Sequence, residues 1–265
     1  MAVTLEAQIE TLDQSLGDAE KHLKALLGRV SGMRKKANAG EVASTAGLFE
    51  PLPAQIEQLA VLVQTARDSL VYDAAAALSD GSYVDELRAE AAAQNLVLTE
   101  RDGRLTAFPL LLKLEPKMSA IRVGRKLEKR LRPSLLVQLL RKAQAASRFD
   151  AGRFLGRLFS AYAYLAPAAQ AGWRPDQPGD GPVVVLNDIY TLLTLLPAAA
   201  ADYPREEFAI DLLRLDAAPD AATAAGHRFA LPASTGSKGR NRLTVFDETG
   251  AERVFVGIRF SLHPA

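Results

Sequence analysis

The stretch that decides the fold stands at residues 5–33 and reads LEAQIETLDQSLGDAEKHLKALLGRVSGM. Apolar side chains recur there in alternating steps of four and three residues, at Leu5, Ile9, Leu12, Leu16, Ala19, Leu23, Leu26, Val30 and Met33. This heptad spacing is typical of a helix that packs along another helix, because a period of about 3.5 residues keeps one stripe facing the partner. We therefore predict a long N-terminal helix whose seam contacts a second helix.

A second stretch repeats the same spacing further along the chain. Its apolar positions are Leu52, Ile56, Leu59, Val63, Ala66 and Leu70. Residues 37–50 between the two stretches lose the period, and Pro51 and Pro53 suit the first turn of a helix. The simplest interpretation is an antiparallel helical hairpin. Two alternatives stay open: both stripes face the core of a larger bundle, or the seam pairs between chains.

Composition bounds the class of protein. The chain has 265 residues, 48% of them hydrophobic, which is enough to bury a sizeable core. Because it has no cysteine and three scattered histidines, neither a disulfide framework nor a zinc site is expected, and no cofactor is predicted. We see no secretory signal and no apolar run long enough to span a membrane, so a cytoplasmic bacterial protein is expected.

The formal net charge of +1 hides a strong local asymmetry. Residues 117–142 contain nine basic side chains against one acid, Glu128, so this segment carries +8 and the rest of the chain −7. Like charges at this density repel one another, and a polyanion offsets that repulsion. The segment therefore predicts phosphate contacts by Arg122, Arg125, Lys126, Lys129, Arg130 and Arg132. The alternative is a solvated face that pairs with acids elsewhere.

Turn and cap signals divide the remainder of the chain. The predicted elements of the centre are a helix from Ser82 to about Asn95, strands at 95–100, 104–108, 110–115 and 119–123, and helices that begin at Pro133 and Asp150. Residues 167–182 hold four prolines and three glycines and predict a linker. The predicted domains are therefore 1–80, 81–166 and 183–265, in an α+β protein.

The last 83 residues have an order of their own. The predicted elements are helices at 183–196 and from Pro204, and strands at 228–231, 242–246 and 253–260. This order resembles the winged helix-turn-helix family, in which two helices are followed by a β-ribbon wing, and residues 82–108 resemble a weaker version of it. The resemblance is one of topology and implies DNA contact by the second helix and the wing.

The second helix of this C-terminal part fits that expectation only in part. It carries four acids, Glu206, Glu207, Asp211 and Asp216, which duplex phosphates would repel. This composition favours a protein contact instead. The loop at 234–242 is basic and has no acid, so Lys238, Arg240 and Arg242 are predicted phosphate contacts. A plain solvated loop is the alternative.

One constellation suggests catalysis. Asp102, followed by Glu115-Pro116-Lys117, is similar to the Asp and Glu-x-Lys pattern of the restriction-endonuclease-like nuclease family, where two carboxylates hold a divalent metal and a lysine stabilises charge. Against it, Asp102 lies in an Asp-Gly turn, where aspartate is common for backbone reasons. Phosphate-loop, dinucleotide and nucleophile-elbow motifs are absent from the sequence.

The sequence thus favours a non-catalytic subunit of a bacterial complex, for genome maintenance or phage defence, that binds duplex DNA through phosphate contacts. Its heptad helices would hold a protein partner or a second copy, and no membrane or small-molecule ligand is expected. The alternatives are a pure protein adaptor and the metal-dependent nuclease.

Overall fold

The structure, a computed structural model, describes residues 4–101, 103–196, 198–218, 220–232 and 241–262. It is mixed α+β, as predicted. The chain forms two compact units. The first contains residues 1–90, 115–120 and 129–137, and the second contains residues 91–114, 121–128 and 138–265.

The helices occupy most of the first unit and are interspersed with strands in the second. They are α1 (Leu5–Asn38), α2 (Val42–Gly47), α3 (Leu52–Ser69), α4 (Ala74–Asp80), α5 (Ser82–Ala93), α6 (Pro133–Ala146), α7 (Ala151–Ala169), α8 (Leu186–Leu193), α9 (Ala199–Asp202) and α10 (Arg205–Asp216). A 3-10 turn covers Pro116–Met118.

The strands within the described residues form three sheets. They are β1 (Thr99–Arg101), β2 (Arg104–Ala107), β3 (Leu110–Glu115), β4 (Ala120–Val123), β5 (Lys126–Glu128), β6 (Gly179–Asp180), β7 (Val184–Val185), β8 (Arg228–Ala230), β9 (Leu243–Phe246), β10 (Glu252–Phe255) and β11 (Gly257–Leu262). The first sheet runs β1 to β5 in chain order, β9 and β10 form an antiparallel ribbon, and β11 pairs antiparallel with β6, β7 and β8.

The N-terminal hairpin is antiparallel. α1 and α3 pack along each other. The buried Oε1 of Gln8, near the start of α1, accepts hydrogen bonds from the backbone N–H groups of Val71 (3.1 Å) and Tyr72 (3.0 Å), just beyond the end of α3. The start of α1 therefore lies beside the end of α3, which is the arrangement that the two heptad stretches predict.

The predicted seam divides into two sets by burial. The buried or partly buried members are Leu5, Ile9, Leu12, Ala19, Leu26 and Met33. The other members remain about half exposed, namely Leu16 (50%), Leu23 (55%) and Val30 (51%). Packing within the hairpin therefore covers only part of the seam.

The rest of the first unit is organised around α5. Tyr83 is fully buried, and its hydroxyl donates to the backbone carbonyl of Leu131 at 2.7 Å. Glu86, one turn later, accepts from the backbone N–H of Leu5 at 2.7 Å through Oε2. These contacts fasten the start of α1 and the segment 129–137 to the same helix.

The second unit begins with the predicted hairpin. Arg101 of β1 pairs with Arg104 of β2 around Gly103, whose φ of +72° suits a glycine in a tight turn. β3, β4 and β5 extend this sheet. The helix predicted to begin at Asp150 is present as α7. Asp150 caps it, because its Oδ1 accepts a hydrogen bond from the backbone N–H of Arg153 at 2.9 Å.

The core of the second unit lies between α7, α8, α10 and the later strands. Its largest fully buried side chains are Tyr162, Phe208 and Phe260. Here the structure corrects the predicted strand 253–260, which is two strands in two sheets. The chain changes sheets at Gly257, where a Cβ atom would lie 2.6 Å from Val183 Cγ1. The predicted helix 183–196 is likewise shorter, because β7 occupies its first residues and α8 ends at Leu193.

The segment predicted as a linker, residues 167–182, lies within the second unit. α7 continues through Pro167 to Ala169, and β6 pairs with β11 through Asp180 and Ser261. Among the helices that the structure describes, none is both long and apolar enough to span a membrane.

Candidate functional site

Two neighbouring grooves on the second unit collect basic side chains from distant parts of the sequence. The large groove has a volume of about 820 Å³ and the small groove about 180 Å³. Both are lined by Arg104, Leu111 and Ile210. We call the two together the basic groove.

The large groove takes its basic side chains from β2, β3, β4, the β4–β5 turn and α10. Its basic lining residues are Arg104, Lys113, Arg122, Arg125 and Arg214. The turn is tight because Gly124 adopts a φ of +55°, and its N–H donates to the carbonyl of Leu111 at 2.8 Å. Arg125, which follows, donates from Nη2 to the carbonyl of Asp202 at 3.2 Å.

The small groove lies where α10 begins. Its basic lining residues are Arg101, Arg104, Arg205 and Arg242. Arg104 pairs with Glu206, Arg101 pairs with Glu252 at 2.9 Å, and Arg205 donates to the carbonyl of Arg242 at 3.3 Å. All four side chains in these two ion pairs are between 43% and 52% exposed, so each pair contributes about 0–1 kcal/mol. A phosphate group can therefore compete for these arginines.

Carboxylates on the wall of the large groove are partly withdrawn from water. Burial raises the pKa of Asp211, although the hydroxyl of Tyr203 donates to its Oδ2 at 2.7 Å and favours the charged form. Burial also raises the pKa of Glu207, and the neighbouring Asp211 adds to that shift. Burial therefore disfavours the charged form of both carboxyl groups in the folded protein.

The charge balance of the basic groove is positive. Eight basic residues line it, against four acids, which are Asp202, Glu206, Glu207 and Asp211. Arginines predominate, and their planar guanidinium groups suit the oxygens of phosphate. The arrangement can bind a polyanion by several contacts at once.

The basic groove brings together predicted residues from two segments of the sequence. Arg122 and Arg125 line its large part and Arg242 its small part, with Arg104 common to both. Lys126 is exposed on β5 in the same unit. Lys238 and Arg240 lie outside the described residues.

The other half of the predicted basic patch belongs to the first unit. Lys129 and Arg130 are exposed there. Arg132 instead forms an ion pair, with its Nε 2.7 Å from Glu6 Oε1 and its Nη2 3.6 Å from Glu10 Oε1. The structure thus places Arg132 in a contact that fastens α1 within this unit.

Sequence reasoning did not select five of the lining residues, namely Arg101, Arg104, Lys113, Arg205 and Arg214. They stand in segments of mixed charge, so a count of charges along the chain does not detect them. The signal that could have found some of them is strand alternation. Arg104 and Thr106 are two residues apart on β2, and both line the small groove.

Two of the three residues in the nuclease pattern lie in the described part of the chain. Asp102 lies outside the described residues, Glu115 ends β3, and Lys117 is exposed in the 3-10 turn. Within the described parts of the chain, no three His, Asp or Glu residues are grouped as a metal ion requires. His227 is buried and engaged, with Nε2 2.6 Å from the carbonyl of Pro175.

Comparison with known proteins adds no family to this description. No protein-family model matches the chain, and no curated protein or solved structure is significantly similar to it.

Proposed function

We propose that this protein is a non-catalytic nucleic-acid-binding subunit that holds duplex DNA in the basic groove, mainly through phosphate contacts. The observation that carries the proposal is the convergence of eight basic residues on two adjoining grooves. These residues come from β1, β2, β3, β4, the β4–β5 turn, α10 and the residue before β9. Phosphate contacts of this kind supply most of the affinity of sequence-independent binding.

The burial of α10 favours phosphate contact over insertion of a recognition helix. Within α10, all of which the structure describes, Asp216 is exposed and the side chain of Glu206 is 43% exposed. Six of its side chains are buried in the core: Phe208, Ala209, Ile210, Leu212, Leu213 and Leu215. A helix held in this way has no free face for a major groove, and base-specific reading by α10 is not part of the proposal.

The winged helix-like arrangement of the C-terminal part remains a proposal. The order α8, α10, β9 and β10 supports it, as does the packing of α10 against β9 and β10. In this arrangement Arg242 precedes the ribbon and lies in the small groove beside Arg205. The ribbon would then guide the DNA backbone, and α10 would form the groove wall.

The test compares two double variants that remove the same charge from neighbouring positions. Arg122→Ala/Arg125→Ala acts in the large groove, and Lys129→Ala/Arg130→Ala acts on exposed bases of the first unit. Binding to a fluorescent 30-base-pair duplex is measured by anisotropy over a range of salt concentrations. We expect the groove variant to bind at least about tenfold more weakly and its salt slope to fall by about 0.9 for each lost phosphate contact.

The second variant serves as the matched control, and it should lose much less affinity. Equal losses in the two variants would contradict the assignment of the DNA contact to the basic groove. Failure of the wild-type protein to bind at low salt would reject DNA binding altogether and favour the adaptor alternative.

A further inference from the structure

The α1–α3 hairpin carries an exposed apolar stripe. On α1 it consists of Leu16, Leu23 and Val30. On α3 it consists of Ile56 and Val63, and Leu70 continues the row directly after the last residue of that helix. Each of these six side chains is between 50% and 58% exposed. They recur every seven residues on both helices, so each set forms a straight row. We call the two rows together the exposed stripe.

Both rows lie on the same side of the hairpin. Leu16 follows the seam residue Leu12 by four positions, and Val63 follows Leu59 by the same interval. When two antiparallel helices pack together, residues that follow their contact residues by the same number of positions lie on the same side of the pair. The residues three positions after the seam residues, such as Gln8, Ser15 and His22, are buried or partly buried and face the other helix. The opposite flank lies one position before the seam residues. It is exposed and has no large apolar side chain, with Thr11, Asp18, Ala25, Gln58 and Thr65. The hairpin is therefore apolar on one side and polar on the other.

The charge of α1 changes sign at its middle. Residues 5–20 carry five acids and no base, whereas residues 21–38 carry six bases and no acid. A second α1 that runs in the opposite direction would place acidic half against basic half along the whole helix. A parallel neighbour would place like charges together, and the two helix dipoles would then also be aligned unfavourably.

We propose that two copies of this chain pair through the exposed stripe into an antiparallel four-helix bundle, with α1 against α1 of the second copy and a twofold axis near Glu20. The interface is isologous, since the same stripe serves both copies. Its apolar rows supply the affinity, and the change of sign along α1 sets the direction.

The available area is sufficient for a specific interface. α3 has 18 residues, so the paired part of the hairpin is about 27 Å long and about 20 Å wide. Its apolar side then offers about 540 Å² on each copy, or about 1,100 Å² in total, and specific interfaces begin at about 1,000 Å². Six branched aliphatic side chains on each copy provide the core of that contact.

The first experiment measures the mass of the full-length protein by sedimentation, in the absence of nucleic acid. We expect twice the chain mass of 28.5 kDa. Val63→Glu places a charge in the interface and should weaken the dimer about a hundredfold, as should Leu23→Glu. Val61→Glu is the matched control, because Val61 is 59% exposed on the same helix but faces away from the stripe. This variant should remain dimeric and folded, as the circular dichroism spectrum checks.

The second experiment tests direction by cross-linking. The sequence has no cysteine, so a disulfide in a single-cysteine variant can form only between the same position in two copies. Glu20→Cys and Arg34→Cys lie two heptads apart and share one helix face. An antiparallel dimer links Glu20→Cys to itself and leaves Arg34→Cys unlinked, whereas a parallel dimer links both.

Four results would overturn the proposal. They are a wild-type monomer at all concentrations tested, a dimer that survives both stripe variants, a dimer that Val61→Glu disrupts equally, and self-linking of both cysteine variants. Dimer formation and DNA binding can be tested separately, because the proposals place them on different residues. Arg122→Ala/Arg125→Ala should sediment as a dimer, so loss of one property would not be mistaken for loss of the other.

Discussion

Glu6 and Arg132 stand 126 residues apart in the sequence and form an ion pair, with Glu6 Oε1 2.7 Å from Arg132 Nε. Glu6 also accepts from the backbone N–H of Ser134 at 3.1 Å and from its hydroxyl at 2.8 Å. The first turn of α1 is thereby joined to the start of α6. Burial opposes the charge of Glu6, but the hydrogen bonds from Arg132 and Ser134 prevail and lower its pKa.

We expect Glu6→Gln to lower the free energy of unfolding by about 1–2 kcal/mol at neutral pH, since it replaces charge-assisted hydrogen bonds with weaker ones. Because the pKa in the folded state is below the unfolded value of 4.5, this contribution is full above about pH 4.5 and is lost as the pH falls through the folded value. Urea titrations at several pH values measure it. Glu10→Gln is the control, because Glu10 is 66% exposed and 3.6 Å from Arg132. An equal effect of the two variants would contradict the prediction.

Asp211→Asn should stabilise the protein at neutral pH. Burial raises the pKa of Asp211 above the ordinary value of 3.8, so its charged form is disfavoured in the folded state. The amide oxygen of asparagine still accepts from Tyr203. We expect the melting temperature to rise by about 2–4 °C at pH 7, which is the shift that about 1 kcal/mol produces in a domain of up to about 250 residues. The difference in melting temperature should disappear near pH 4.

Duplex affinity should rise in the same variant, because a negative charge leaves the large groove. Asp176→Asn removes a charge from an exposed loop and should change neither quantity. If Asp211→Asn instead melts at a lower temperature at pH 7, the bond from Tyr203 to the charged carboxylate outweighs the burial.

Gly181→Ala should destabilise the second unit. A Cβ atom there would press on Tyr162 Oη and lie 2.9 Å from Trp173 Nε1 and 3.0 Å from the carbonyl of Phe260. It would also disturb the hydrogen bond that the Tyr162 hydroxyl donates to the Pro182 carbonyl at 2.6 Å. Overpacking of this kind costs about 1–3 kcal/mol.

Thermal unfolding, followed through Trp173 as the single tryptophan, measures this change. Gly156→Ala is the matched control. That glycine lies within α7 with nothing within 4 Å of the added Cβ, so alanine should stabilise the helix by about 0.5–1 kcal/mol. Similar behaviour of the two variants would show that the space around Gly181 is not tight.

Local signals in the sequence predicted the local elements. The heptads specified the hairpin, Asp150 the start of α7, and Asp102-Gly103 the β1–β2 turn, because each depends on neighbouring residues only. Heptads alone could not show which members of the seam stay exposed, since Leu16 and Leu12 are equally apolar. Tertiary packing, which no local pattern records, determines two further features. It divides the basic segment 117–142 between two units, and it places Arg104 and Arg205 in the same groove.

The path of the chain between the two units has a consequence for synthesis. The backbone crosses from one unit to the other five times between residues 90 and 138, so neither unit is a continuous stretch. During synthesis, Glu6 and Tyr83 can form their hydrogen bonds with Arg132 and Leu131 only after residues 129–137 have been translated. A fragment that ends at residue 90 would leave these groups unmatched, and functional dissection of this protein is therefore better served by point substitutions than by truncation.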